Sequence, residues 1–226
     1  MKTFAIIPAG GKGLRSGHSA PKQYLKVQGK ELIAYTLEIF QLNNYINSIV
    51  VACEPDYFNL IQRLKKKYDF SKIINVVEGG RERQHSVFNA LSALYADKND
   101  LVVVHDAARP LLPSIVLSNA IKQAKKKGNA LTCIKARDTL MKADDTVKAY
   151  LNRDNVYYVQ TPQIFRFADL MQAMQSAKKT KFIGTDESML VKKIGKNVNI
   201  VEGSPFNFKV TTKSDLDLFK SIIKNR

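Results

Sequence analysis

The sequence predicts an α/β fold: a Rossmann-like, mostly parallel twisted sheet with helices on both faces, plus a protruding β-hairpin arm. Three observations predict it. Short apolar runs recur along residues 4–134, segments with helical periodicity lie between them, and the alternation breaks into polar strands and turns over residues 135–160. Alternating β and α units of this kind build a mostly parallel sheet covered on both faces, and ligands in such folds sit outside the carboxyl ends of the strands.

The strands are expected at Phe4–Ile7, Ile49–Ala52, Ile73–Val77, Leu101–Val104 and Ala130–Ile134. The first helix is marked by Leu32, Tyr35, Leu37, Ile39 and Phe40, and the second by Phe58, Ile61 and Leu64. Val87, Ala90, Leu91 and Leu94 form a third stripe, and Ile115, Val116, Asn119, Ile121 and Ala124 mark a fourth helix. Residues 135–160 carry no long apolar run that would anchor them in a core. They suit an arm reaching onto a second subunit or a surface meander on the same one, and their composition leaves both open. Helices at Phe167–Ala177 and Asp186–Ile194, a strand near Asn199–Val201 and a closing helix at Lys213–Ile223 complete the chain. With no internal repeat or linker, residues 1–226 read as a single domain, with 135–160 as its β-arm.

Composition excludes several classes. A 45% hydrophobic fraction with nine Tyr and eleven Phe fits an ordinary globular core. Cys53 and Cys133 sit in apolar stretches without metal-like spacing, which reads as two buried thiols in a reducing compartment. No apolar stretch approaches a membrane span and the brief N-terminal run stops at Pro8, so a cytoplasmic chain without a signal peptide is expected. The net charge of +16 gathers in clusters such as Lys65–Lys67 and Lys125–Lys127 near the expected helix ends, where cations suit the dipole. A solvated basic surface accounts for most of it, and attraction of small anions adds to it. A basic nucleic-acid-binding module is the remote alternative, without zinc spacing, aromatic RNA-binding signature or basic arm to support it.

The loop after the first strand, PAGGKGLRSGHSAPKQY from Pro8 to Tyr24, falls at the ligand end. Gly10, Gly11 and Gly13 let backbone amides approach an anion. The Walker spacing is missing, and Ser16 stands where a dinucleotide motif starting at Gly11 would need its last glycine, which disfavours a nicotinamide enzyme. Arg15 and Lys22 place two long cations beside those amides, an arrangement that suits phosphoryl chemistry. VHDAARP ends the fourth strand. There Asp106 could point into the crevice and hold Mg²⁺, or else cap the helix near Pro113. Arg109 could grip a phosphate or a neighbouring carboxylate. EGGRERQHSVFNAL, from Glu78, is a glycine turn feeding a helix whose amides and Ser86 hydroxyl could read a base edge.

Taken in order, PAGGKGLR, PKQYL, GG-R-ERQ-SV, VHDAARP, RDT, QTPQ-F, TDE and NFKVT resemble one family, the 2-C-methyl-D-erythritol 4-phosphate cytidylyltransferases of non-mevalonate isoprenoid biosynthesis. The resemblance runs from Ile6 to about Leu218. It implies a nucleotidyltransferase that moves CMP from CTP to methylerythritol phosphate and releases pyrophosphate. By motif, Arg15 and Lys22 would be catalytic. Pro8, Ala9, Gly10, Gly11 and Gly13 would hold the triphosphate, and Gly80, Arg81 and Ser86 the cytosine. Asp106, Arg109, Thr185 and Lys209 would line the acceptor site. Thr139 and Arg153 would cross to it on the arm of the partner in a homodimer. GSPFNFK offers no carboxylate nearer than Glu202, so one Mg²⁺ held mostly by CTP is expected, with Asp106 as the candidate metal residue of the protein. Ribitol-5-phosphate cytidylyltransferase is the nearest alternative. Membrane and nucleic-acid partners are not expected.

Overall fold

Residues 3–7 are buried on both sides, and that double burial organises the fold. The computed structural model describes residues 1–11 and 21–224. In β1 (Thr3–Pro8), Ala5 and Ile7 join one apolar cluster while Phe4 and Ile6 join another on the opposite face, as the two-residue period of a strand requires.

The other strands are β2 (Lys26–Val27), β3 (Lys30–Glu31), β4 (Ser48–Cys53), β5 (Ile73–Glu78), β6 (Leu101–Val104), β7 (Asn129–Lys135), β8 (Leu140–Ala143), β9 (Val147–Leu151), β10 (Tyr157–Arg166) and β11 (Ile200–Glu202). The helices are α1 (Leu32–Leu42), α2 (Phe58–Lys67), α3 (Arg83–Ser92), α4 (Ser114–Lys127), α5 (Phe167–Lys179), α6 (Glu187–Lys193) and α7 (Lys213–Lys224). Seven strands form one sheet in the order β11-β7-β10-β6-β1-β4-β5. β1 runs parallel to β4 and β6, β4 to β5, and β7 to β11.

Helices α1, α2 and α4 cover the face that carries Ala5 and Ile7, and α3, α5 and α6 cover the face that carries Phe4 and Ile6. A third cluster seats α7 through Leu216 and Phe219 against Leu32, Ala108 and Val210. The expected lysine clusters do fall in the last turns of α2, α4, α5 and α6, complementing the negative helix ends. Helix α4 then stops at Gly128, whose φ of 85° is open to glycine at little cost. Cys53 and Cys133 are buried and unpaired with each other. No described helix is long and apolar enough to cross a membrane.

The sheet holds two features that the sequence left unplaced. The strand at Ala130–Ile134 exists, but it does not extend the parallel series beside β6. The ten-residue β10 lies between them, antiparallel to both. The segment 135–160 is also not wholly outside the core, because Tyr157–Val159 pair with β7 and Gln160 is buried. The part that stands apart is the β8–β9 hairpin, a separate two-stranded sheet in which residues 141–150 are all exposed.

Connections from β1 run toward β4 and those from β6 run toward β7, so the order reverses between adjacent β1 and β6. The loops at 9–11 and 105–110 leave the sheet at that reversal, the place where a crevice opens in doubly wound folds.

Candidate active site

A crevice of about 560 Å³ opens at this reversal. The glycine loop forms one wall with Pro8, Ala9, Gly10 and Gly11, and the turn before α3 forms another with Gly80, Arg81, Glu82 and Ser86. Lys22, Asp106 and Lys209 reach it from three separate chain segments. Cationic side chains around exposed loop amides make it a receptor for a polyanion.

The turn walls are tightly built. Ser86 is 2% exposed, and its Oγ accepts the Gly80 N–H at 3.0 Å, folding the turn back on the first turn of α3. Glu82 and His85 close a capping box there: the Glu82 carboxylate accepts the His85 N–H, and His85 Nδ1 accepts the Glu82 N–H at 3.3 Å. A Cβ on Gly80 would lie 2.3 Å from His85 Cβ, so only glycine fits this wall. Gly10 and Gly79 bring the two walls together, since a Cβ on Gly79 would meet Gly10 Cα at 3.4 Å.

Asp106 is the charged centre of the opposite wall. Arg83 Nε donates to its Oδ1 at 2.9 Å, while Oδ2 lies 3.0 Å from Lys209 Nζ and 3.3 Å from Arg109 Nε. Burial alone would raise the carboxyl, but Arg83, Lys209 and Arg109 together hold it well below the usual range. Arg83 continues to Glu187 through two Nη1 bonds of 2.7 and 2.9 Å. The Glu187 side chain is 1% exposed. Asp106 therefore does not cap the helix near Pro113. It holds a buried ionic chain that joins α3, the β6 loop and α6. A divalent ion on Asp106 does not fit these residues, because both oxygens already face cations. Among the described residues no group of three or more His, Cys, Asp or Glu converges on a common point.

Behind Asp106 lies His105, fully buried. The Asp106 N–H donates to Thr161 Oγ1 at 3.1 Å, which leaves the hydroxyl proton for His105 Nδ1 at 3.1 Å. Nε2–H then donates to the Arg109 carbonyl at 3.3 Å. The imidazole is neutral: burial pushes it down to about 3, against the pull of the Asp106 charge and the Arg109 carbonyl. Between pH 3 and its ordinary value of 6.5, the unfolded chain binds a proton that the folded chain refuses. This contribution to stability is complete above pH 6.5 and is lost as pH falls, by up to about 1.4 kcal/mol per unit. Replacing His105 with Asn should flatten the decline of urea-unfolding stability between pH 6 and pH 4. An unchanged slope would show that His105 does not titrate in this way.

Lys209 is held by its neighbours. Asn207, fully buried, donates to Gln160 Oε1 at 3.1 Å and to the Thr161 carbonyl at 2.7 Å. The Val210 N–H donates to the Ala108 carbonyl at 2.8 Å. With both anchors fixed, the lysine between them faces the crevice. Lys22 sits on a 3₁₀ turn, Lys22–Tyr24. Against the upward push of burial, the Thr212 and Thr211 N–H groups and the Thr212 hydroxyl hold the Asp215 carboxyl in the first turn of α7 below its ordinary value, and the Lys22 charge adds the smallest share.

The structure thus brings Pro8, Ala9, Gly10, Gly11, Lys22, Gly80, Arg81, Ser86, Asp106 and Lys209 to one crevice. Gly13 and Arg15 lie outside the described residues. Arg109 does not line the crevice; its Nη1 donates to the Asn207 carbonyl at 2.7 Å, bracing Asp106 and the Lys209 segment from behind. Thr185 is exposed beside α6, donating to Met189 Sδ at 3.0 Å. Thr139 and Arg153 are exposed at the base of the hairpin, where Arg153 Nη1 donates to the Arg137 carbonyl at 3.1 Å. Sequence reasoning overlooked Arg83, Glu187 and Gln23. Both Arg83 and Glu187 fall inside quoted motifs, GG-R-ERQ-SV and TDE, but 104 residues separate them and nothing local pairs them.

Known proteins resemble this chain along its whole length. A family model described as 2-C-methyl-D-erythritol 4-phosphate cytidylyltransferase, IspD, matches residues 3–225. The chain is 37% identical over 227 residues to the protein of that name from Lysinibacillus sphaericus, spanning 100% of this chain and 97% of that one. It is 40% identical to the one from Thermotoga neapolitana over 220 residues, 97% of this chain and 96% of the relative. The crystal structure of the Francisella tularensis protein of the same name superposes with a TM-score of 0.84 at 31% identity, over 98% of this chain and 99% of that chain. The crystal structure of the Thermus thermophilus protein gives 0.82 at 30%, over 99% and 100%. The glycine loop, the Gly80–Ser86 turn and Asp106 all fall within these matches, and the chain belongs to the 2-C-methyl-D-erythritol 4-phosphate cytidylyltransferase family.

Proposed function

We propose that this enzyme transfers CMP from CTP to 2-C-methyl-D-erythritol 4-phosphate, releasing pyrophosphate, in isoprenoid precursor biosynthesis in the cytoplasm. The observation that carries the reading is one crevice that unites the glycine loop, Lys22, Lys209 and the close Gly80–Ser86 turn. The triphosphate lies along Pro8–Gly11, and the cytosine enters the slot at Gly80, Arg81 and Ser86. An acceptor phosphate oxygen attacks the α-phosphorus. The new P–O bond forms as the bond to the α–β bridging oxygen breaks, and pyrophosphate leaves with that electron pair. The acceptor is already an anion, so no general base is needed. Positioning and charge stabilisation suffice. Lys22 and Arg15 neutralise the charge that builds on the α-phosphate, and Lys209 holds the acceptor phosphate. Mg²⁺ belongs to the substrate here, as counter-ion of the CTP phosphates.

Asp106 acts through Lys209 and Arg83, by fixing where those cations sit. Arg109 has the same supporting role. Thr139 and Arg153 stand at the base of the exposed hairpin and do not line the crevice of their own chain, which supports a homodimer in which the hairpin of one subunit carries them to the site of the other. Residues 1–226 then form one catalytic domain, with the arm as its dimerisation element. Mixing inactive Lys22→Ala and Arg153→Ala subunits should restore part of the activity, since one site in each mixed dimer is intact. No rescue in verified heterodimers would place the arm at its own site.

The substrate assignment is tested by offering methylerythritol phosphate and ribitol 5-phosphate together with CTP and following both products. The relatives named above favour the first acceptor, and a strong preference for ribitol phosphate would overturn the assignment.

A further inference from the structure

The turn that carries Lys22 is tied to the glycine loop by the residue next to it. Gln23 is 4% exposed, and its Nε2 donates to the Ala9 carbonyl at 2.7 Å and to the Gly11 carbonyl at 2.9 Å. Both amide protons are used, and both acceptors are loop peptides. Tyr24 adds a third tie, its hydroxyl donating to the Ala9 carbonyl at 3.0 Å while its ring stacks on Tyr57 at 3.9 Å. Ala9 itself is fixed to β4 by its N–H, which donates to the Ala52 carbonyl at 2.7 Å.

From this geometry we infer that Gln23 is a positioning residue for the triphosphate. In a trans peptide the C=O and the following N–H point in opposite directions. Holding the Ala9 carbonyl toward Gln23 therefore turns the Gly10 N–H away from it. The second bond, to the Gly11 carbonyl, stops the loop from flipping a peptide and presenting an oxygen to a phosphate. The same side chain sets the distance between the loop and Lys22, because Gln23 and Lys22 share one 3₁₀ turn. One amide thus aligns the two elements that a nucleoside triphosphate must meet together. This inference rests on the crevice being a CTP site.

Two substitutions test it. Gln23→Glu keeps the size and turns carboxylate oxygens toward two carbonyl oxygens, and Gln23→Leu removes the donors without adding charge. Binding of CTP and of CMP, which lacks the β- and γ-phosphates, is measured directly by calorimetry, with thermal melts to check folding. The expected result for Gln23→Leu is at least a tenfold loss of CTP affinity with CMP affinity within twofold of the native protein. Gln23→Glu should lose more CTP affinity again. A purely structural role would weaken both nucleotides alike, and that outcome, or CTP affinity within twofold of native, would overturn the inference. If the native protein itself binds no CTP, the assignment of the crevice fails instead.

Discussion

Replacing Lys22 with Ala should lower kcat by roughly 10²–10³, the scale for losing one preorganised transition-state donor, with a much smaller change in CTP affinity. The reason lies in where charge appears. In the ground state the α-phosphate carries one charge and the glycine-loop amides share the load of the triphosphate. In the in-line transition state negative charge gathers on the α-phosphate oxygens, and Lys22 stands at the crevice wall to meet it. Its turn is braced by Gln23 and Tyr24, so little reorganisation is needed when the charge develops. Steady-state kinetics beside a direct CTP titration separates the two effects. Turnover within a few-fold of native would remove Lys22 from the chemistry.

Replacing Arg83 with Ala should cost about 3–5 kcal/mol of stability, the range for breaking one partner out of a buried ionic group. At this chain length that lowers Tm by an amount on the order of 10 °C. The Glu187 side chain, 1% exposed, and the Asp106 side chain, 9% exposed, would lose a shared guanidinium. Among the described residues Glu187 would then be a buried carboxylate with no counter-charge, whereas Asp106 would keep Lys209 and Arg109. The double substitution Arg83→Met with Glu187→Met removes both charges, and should recover much of the loss because an apolar pair of similar volume replaces the ionic one. Differential scanning calorimetry reads both. A loss below about 1 kcal/mol for Arg83→Ala would mean that the chain contributes little to folding.

Parts of this architecture were legible from residue order, and the missing parts share a physical cause. β1, β4 and β6 announce themselves as unbroken apolar runs because helices cover both their faces. β10 does not, although it lies in the middle of the sheet. Its buried Gln160, Thr161 and Gln163 are polar and satisfied by partners far away in the chain, among them Asn207 and Asp186. A strand whose inward side chains hydrogen-bond across long separations carries no apolar signature, so its polarity reads as surface. The site shows the same division. The glycine loop and Lys22 could be argued from local chemistry alone, and Lys209 came only from resemblance. Arg83 was passed over for its neighbour Arg81, since local sequence cannot tell which of two arginines in GGRERQ turns inward. Arg109 was legible as a carboxylate partner. That it braces the site from behind depends on the Asn207 carbonyl, 98 residues away.

The most direct test of the central claim is phosphorus NMR of the purified protein incubated with CTP, Mg²⁺ and methylerythritol phosphate. The expected spectrum shows a new pair of coupled resonances from a P–O–P diester, growing in step with free pyrophosphate, and none when ATP, GTP or UTP replaces CTP. Pyrophosphate and CMP without the diester would mean hydrolysis. An unchanged spectrum would contradict cytidylyl transfer at this crevice.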